Sequence, residues 1–190
     1  MKKLTAIGLF CFFALALSSC GKSSDSNKEE KKSDYAQAAD VLKAVADSYT
    51  QEERFAMYGG DQEHAVMDEP GKFDISKQEE MEDVLGLPTE LASGIEDAAS
   101  MVHMMNGNMF TGAAYRLKSS TDKDHFAQAV KDMLSKKQWI CGQPDIMTVI
   151  DVDGVYVITA YGEAQIMETF KKKAMFVFKD AKVFIEAPIV

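Results

Sequence analysis

Residues 146–161 read IMTVIDVDGVYVITAY: two runs rich in β-branched and aromatic side chains, Ile146 to Val152 and Val155 to Tyr161, on either side of Asp153-Gly154. Such runs around an Asp-Gly pair predict a β-hairpin. On its N-terminal side Phe126, Val130, Met133 and Leu134 recur at helical spacing, with Ser120 or Thr121 as the cap and Gly142 and Pro144 as stop signals. On its C-terminal side residues 163 to 177 repeat that pattern. Ile166, Met167 and Phe170 face inward there, and Lys171-Lys172-Lys173 lie toward the end of the helix that favours cations. Met109 to Leu117 and Lys182 to Ala187 read as strands at the two flanks. From residue 109 the predicted order is strand, helix, strand, strand, helix, strand, which is the split βαβ, ferredoxin-like arrangement. The expected class is α+β, an antiparallel sheet with helices on one face, and that architecture alone decides no function.

Further toward the N-terminus, Ala98 to Met105 and the strand from Met109 flank Asn106-Gly107, predicting a second hairpin with a type-I′ turn. Thr89 to Gly94 is expected to form a turn of helix. Ser76-Lys77-Gln78-Glu79 fits a capping box ahead of a short helix to about Leu85, ended by Gly86-Leu87-Pro88. Residues 51 to 75, with Gly59-Gly60-Asp61 and Glu69-Pro70-Gly71, are expected to be mostly loop. Ala38, Val41, Leu42, Val45 and Tyr49 mark an amphipathic first helix capped by Asp34, one of the N-terminal helices that complete the core.

The first 34 residues have a different character. Met1-Lys2-Lys3 and the 14 uncharged residues Leu4 to Leu17 make a secretory signal too short to span a bilayer. Leu17-Ser18-Ser19-Cys20 matches the bacterial lipobox, so residues 1–19 are expected to be removed and Cys20 to carry the lipid. Several acyl chains on one residue hold a protein firmly at a membrane. Gly21 to Asp34, GKSSDSNKEEKKSD, has nothing to bury and reads as a disordered tether. Residues 35–190 then form one extracytoplasmic domain.

Loss of Lys2 and Lys3 leaves 19 basic against 30 acidic residues, a formal charge of −11. That balance argues against nucleic acid as a partner and against the domain itself lying on anionic lipid, since both surfaces are negative and would repel it. Of three cysteines, Cys11 leaves with the signal and Cys20 is lipidated, so Cys141 has no partner in the chain. An internal disulfide, a paired-cysteine metal site and CxxC redox chemistry are thereby excluded, and no cofactor motif is present.

The stretches ADVLKAVADSY, MYGGD, EPGKFD, IEDAASMVHMMN, FTGAAY and KKQWICGQPD resemble a family of small bacterial lipoproteins with no established activity. The resemblance spans most of the mature chain. It implies an extracytoplasmic lipoprotein and assigns no catalytic residue.

Three candidate chemistries remain. Met101, His103 and Met105 alternate onto one face of a strand, a donor set suited to Cu(I), although the same residues serve as core fillers. Cys141 with His125 or His103 suggests a cysteine hydrolase, but Cys141 follows a helix, where the dipole disfavours a thiolate, and Trp139-Ile140-Cys141 reads as buried packing. Asp151-Val152-Asp153-Gly154 resembles a calcium loop with Val155 in place of the next oxygen ligand. Gly59-Gly60-Asp61 lacks the lysine and context of a phosphate loop and reads as a turn. Glu79, Glu80, Glu82 and Asp83 read as a solvated face. The reading that these observations favour is a membrane-anchored, non-enzymatic module, joined to the membrane through Cys20, for an unknown protein or small ligand. Soft-metal binding and cell-envelope hydrolysis are the alternatives.

Overall fold

The computed structural model describes residues 32–190; the predicted signal, Cys20 and the tether up to residue 31 lie outside the described residues. Eight antiparallel-paired strands form one sheet: β1 (Met57–Gly59), β2 (Val66–Met67), β3 (Gly71–Phe73), β4 (Ile95–His103), β5 (Phe110–Leu117), β6 (Ile146–Asp151), β7 (Tyr156–Gly162) and β8 (Lys182–Pro188). The helices are α1 (Ala38–Asp47), α2 (Gln78–Glu80), which runs on into a π-turn at Met81–Leu85, α3 (Lys123–Lys136) and α4 (Ala164–Val177). A 3-10 turn covers Thr89–Gly94, where a helical turn is expected. Among the described residues no helix is long and apolar enough to cross a membrane.

The mixed α+β class and the antiparallel sheet agree with the expectation, but the strand order does not. The main path is β2-β1-β4-β5-β7-β6-β8. A ferredoxin-like sheet puts the last strand beside the first of its unit, here β5. Both edges of β5 are already occupied, one by β4 and one by β7, so β8 pairs with β6 instead. This moves the helices as well. β5-α3-β6 and β7-α4-β8 each skip one strand and step in the same direction along the sheet, while the two units run antiparallel. Right-handed crossovers then demand opposite faces for α3 and α4.

Two cores confirm the geometry. Val41, Leu42 and Val45 of α1 and Met167 and Phe170 of α4 pack on Ala99, Met101, Phe110, Ala114 and Ile158. Phe126, Val130 and Leu134 of α3, with Met81 and Leu85, pack on Ala98, Ala113, Tyr115, Val149 and Val157. Alternate residues of each strand thus serve opposite cores. The expectation of helices on one face is corrected to helices on both. All seven residues of β7 are buried, as befits a strand covered on both sides.

Residues 51–75, expected to be mostly loop, contribute β1, β2 and β3. β1 and β3 share the outer edge of β4 end to end, pairing Tyr58 with Val102 and Gly71 with Ser100. Where one gives way to the other the backbones nearly touch, and a Cβ on Gly59 would lie 2.0 Å from the Gly71 nitrogen.

Caps also differ from expectation. Asp122 caps α3, its side chain accepting from the backbone N–H groups of Asp124 and His125. Gln37 stands at the N-terminus of α1, whose Ala38 N–H donates to Asp97 Oδ2 on β4 at 2.7 Å. The Ser76 capping box is not made; Asp74 Oδ1 accepts from the Ser76 N–H at 2.9 Å. The turn after β4 is longer than a type-I′ pair, and Gly107 is not among the glycines of positive φ.

The sheet has two distinct ends. The chain enters beside the β6–β7 turn, where Ser33 bonds Asp153, the Tyr156 hydroxyl donates to the Tyr35 carbonyl at 3.2 Å, and the Tyr35 and Phe178 rings meet edge-on. The β4–β5 loop and the segment between α3 and β6 lie at the other end, about 25 Å away along the eight residues of β5.

Candidate functional site

Irregular backbone concentrates at the end of the sheet away from the chain entry. After α3 stops at Lys136, residues 137–145 run back across the sheet end to β6. Cys141 has φ +65° and Gly142 φ +106°, a left-handed pair in which the cysteine carries a backbone strain that glycine does not. Asparagines of the β4–β5 loop hold this bend: the Asn106 side-chain amide donates to the Cys141 carbonyl at 3.0 Å, and that of Asn108 to the carbonyls of Ile140, at 2.8 Å, and Gly142. Asn106 Oδ1 accepts from the Asn108 N–H at 2.9 Å, so the loop is braced internally as well. The opposing wall is the π-turn Met81–Leu85, a form common at functional sites.

Between these walls lies a cleft of about 250 Å³, lined by Tyr58, Thr111, Lys137, Trp139 and Tyr161 among others. The Trp139 and Tyr161 rings stand 5.2 Å apart, and the Lys137 ammonium lies 5.3 Å from the indole centre while donating to the Asp83 carbonyl. Burial lowers the pKa of Lys137 against the pull of Asp83 and Glu82. Burial also pushes the Tyr161 hydroxyl up to about 12, and that hydroxyl donates to the Val84 carbonyl at 2.7 Å. The Trp139 indole N–H is buried and has no partner among the described residues. An orphan donor of this kind costs about 1–3 kcal/mol. Ile140 on its lining is 81% exposed, and Met104 and Met105 in the adjoining β4–β5 loop are exposed as well. The arrangement offers aromatic and apolar surface, one unused donor and two charged side chains of opposite sign, which suits binding more than bond-making.

The sequence-derived candidates are dispersed. Met101 is fully buried in the core under α1 and α4, and His103 is 7% exposed, stacked on Phe55 at 5.2 Å. His103 Nδ1 accepts from the Met105 N–H, and the Met105 side chain, beyond the end of β4, projects into solvent. The three do not form one ligand set. Cys141, expected to be buried, is exposed, because the bend that carries it is held by its backbone carbonyl and not by its side chain. Among the described residues no hydrogen bond joins its thiol to His103 or His125. Asp153 serves the β6–β7 turn, accepting from the N–H groups of Val155 and Tyr156. The acidic run is only partly a solvated face: Glu80 accepts from the Gln62 N–H and Glu82 from the Thr89 N–H.

Gly59-Gly60-Asp61 holds more than a turn. Asp61 is 2% exposed and receives Lys77 Nζ at 2.7 Å, His64 Nδ1 at 3.0 Å and the N–H groups of Glu63 and Asp74. Burial alone would raise this carboxyl, but its hydrogen bonds, that of Lys77 foremost, outweigh burial and hold it well below the usual carboxylate range. Asp61, Glu63 and His64 stand close enough to share a cation. Lys77 Nζ, 3.0 Å from Glu63 as well, already supplies that positive charge. The Trp139 cleft is not legible in the sequence because its lining comes from five separate segments; Asn106-Gly107, read as a turn signal, is its nearest trace.

Compared with protein-family models, curated proteins and solved structures, the chain matches none.

Proposed function

We propose that the chain is a lipid-anchored extracytoplasmic binding module, held to the membrane through Cys20 and without catalytic machinery, that takes its ligand at the Trp139 cleft. One observation carries the reading: the Trp139 indole, whose buried N–H has no acceptor among the described residues, lines an open cleft on which Ile140 is exposed, with the exposed Met105 in the adjoining β4–β5 loop. Buried donors are almost always satisfied, and among the described residues the hydroxyls of Tyr49 and Tyr115 are orphaned too, but only the Trp139 group belongs to a side chain that lines this cleft, where a ligand oxygen would be its acceptor. The rigid rim supports the same reading, since asparagine bonds fix its two loops to each other before any ligand arrives. The position supports it too. A module tethered at one end of its sheet presents the other end outward, away from the membrane.

The test is site-specific photocrosslinking of the full lipoprotein in cells, with the crosslinking residue at Met105 or Ile140. The control position is Phe176, an exposed apolar residue near the tether end of α4. Discrete adducts from the first two positions and none from the control are expected. Equal labelling at all three, or none at all, refutes the cleft. Metabolic acyl labelling that survives Cys20→Ala refutes the anchor.

A further inference from the structure

A second cleft, of about 530 Å³, opens at the tether end of the sheet, and its charge runs against that of the chain. Its lining includes four cationic side chains, Lys32, Arg116, Lys118 and Lys123, against one carboxylate, Glu96, with the hydroxyls of Ser119, Ser120 and Thr121 between them. The whole chain has 30 acidic and 21 basic residues, so this local reversal is not a sample of the average surface. Nearby carboxylates are committed to internal donors. Asp122 caps α3, Asp153 takes the β6–β7 turn, and Asp151 accepts from the Gly154 N–H while pairing with Lys123 at 3.2 Å. Among the described residues Glu96 pairs with Arg116 Nε, at 3.4 Å, and the Arg116 guanidinium is placed 5.8 Å from the Tyr156 ring centre. Lys118 Nζ gives one of its three hydrogens to the Ser93 carbonyl at 2.7 Å and the Thr121 hydroxyl donates to the Gly94 carbonyl at 2.9 Å. The remaining ammonium hydrogens, lining one concave site with the hydroxyls of Ser119 and Ser120, suit a phosphate group.

We propose that this cleft seats the phosphate of an anionic phospholipid headgroup and so holds the domain upright on its own membrane. The inference rests on the lipid anchor proposed above. Lys32, which lines the cleft, lies 12 residues from Cys20, a span of at most about 40 Å, so the cleft is the part of the domain the anchor keeps nearest the bilayer. The chain's overall negative charge opposes contact with anionic lipid, but at 0.1 M salt charges beyond about 10 Å are screened and the facing end decides. Each lysine near such a surface strengthens attachment about fivefold.

The experiment uses the complete lipoprotein with a donor dye on Cys141, whose exposed thiol marks the far end of the sheet. It is reconstituted in vesicles of phosphatidylcholine, alone or with phosphatidylglycerol, bearing a surface acceptor. Anionic lipid is expected to lower the energy transfer by lifting the dye from the surface. Salt and Lys118→Glu are expected to cancel the effect, and Lys118→Arg to keep it. Far-UV circular dichroism establishes that both variants are folded. Equal transfer in the two lipids, or an undiminished effect in Lys118→Glu, overturns the proposal. Binding of free glycerol phosphate without any vesicle response assigns the cleft to a soluble phosphate ester and overturns the headgroup. The mass of the purified protein reports acylation separately, so failure of the anchor is told apart from failure of the cleft.

Discussion

Asp61 is charged, buried and held by a lysine, a histidine and two backbone N–H groups, all within a segment whose sequence reads as loop. Asp61→Asn leaves the Lys77 ammonium with Glu63 and Glu80 alone and turns one acceptor oxygen into an amide donor, so a cost of about 1–3 kcal/mol is expected at pH 7, measured by urea unfolding. The pH dependence has a definite sign. A carboxyl with a lowered folded pKa adds stability above its unfolded value, near 4, and loses that contribution as the pH falls further. The gap between wild type and Asp61→Asn should therefore narrow below pH 4; a gap constant from pH 7 to pH 3 would mean that the charge contributes nothing. Gly59→Ala tests the same corner sterically: its Cβ meets backbone that cannot swing aside, and a loss of about 3 kcal/mol is expected. The sequence makes Met101 and His103 legible as neighbours on one face, but where β4 ends depends on β1, which pairs Met57 with His103 and leaves Met105 outside the sheet. Residue spacing holds no record of that partner. Cys141 misleads for a related reason, since its apolar neighbours suggest burial while the asparagines that shape its bend lie more than 30 residues earlier.

Elements that satisfy themselves were the legible ones. α3 and α4 match their stripes of apolar residues, and β6 and β7 match their runs, because burial of one side of a helix or of a central strand is written in local periodicity; the outer strand β8 also falls where expected. Caps supplied from a distance were not. The donor at the start of α1 finds Asp97, 59 residues away in the sequence, and no local pattern points there. Asp97→Ala is expected to destabilise the protein by about 1–2 kcal/mol and to increase amide exchange in the first turn of α1; exchange unchanged in that turn would show that the bond is idle. Asn108→Ala removes the amide that ties the β4–β5 loop to residues 140 and 142. Here the expectation is a change of less than about 1 kcal/mol in global stability but markedly faster exchange at residues 138–143. Equal exchange in the two proteins would show that the bend stands without the asparagine. The strand order escaped the sequence because ferredoxin-like and observed sheets share one succession of elements; they differ in which edge is vacant when β8 arrives, and that depends on the strand preceding the motif.

For the molecule as a whole, the two split crossovers stepping the same way leave β8 as the outer strand and the closure of β6. Deleting residues 182–190 would expose the edge of β6 and uncover Met147 and Val149, so that variant is expected to show no cooperative urea transition; a normal transition would make β8 an accessory. The same layout puts the cleft at Arg116 and Lys118 and the Trp139 cleft at opposite ends of one sheet. β7 carries a further consequence. Tyr156 to Gly162, YVITAYG, is uncharged, rich in β-branched and aromatic residues and buried on both sides. Released from the sheet it meets the requirements for a steric zipper, the dry interdigitated stack of an amyloid spine. Asp153 before it and Glu163 after it then act as gatekeepers as well as a turn and a helix start, placing like charges at the two ends of any stacked copy. Under the export proposed above the chain would cross the membrane unfolded, and the speed with which β5 and β6 enclose β7 would then decide between a folded domain and an aggregate.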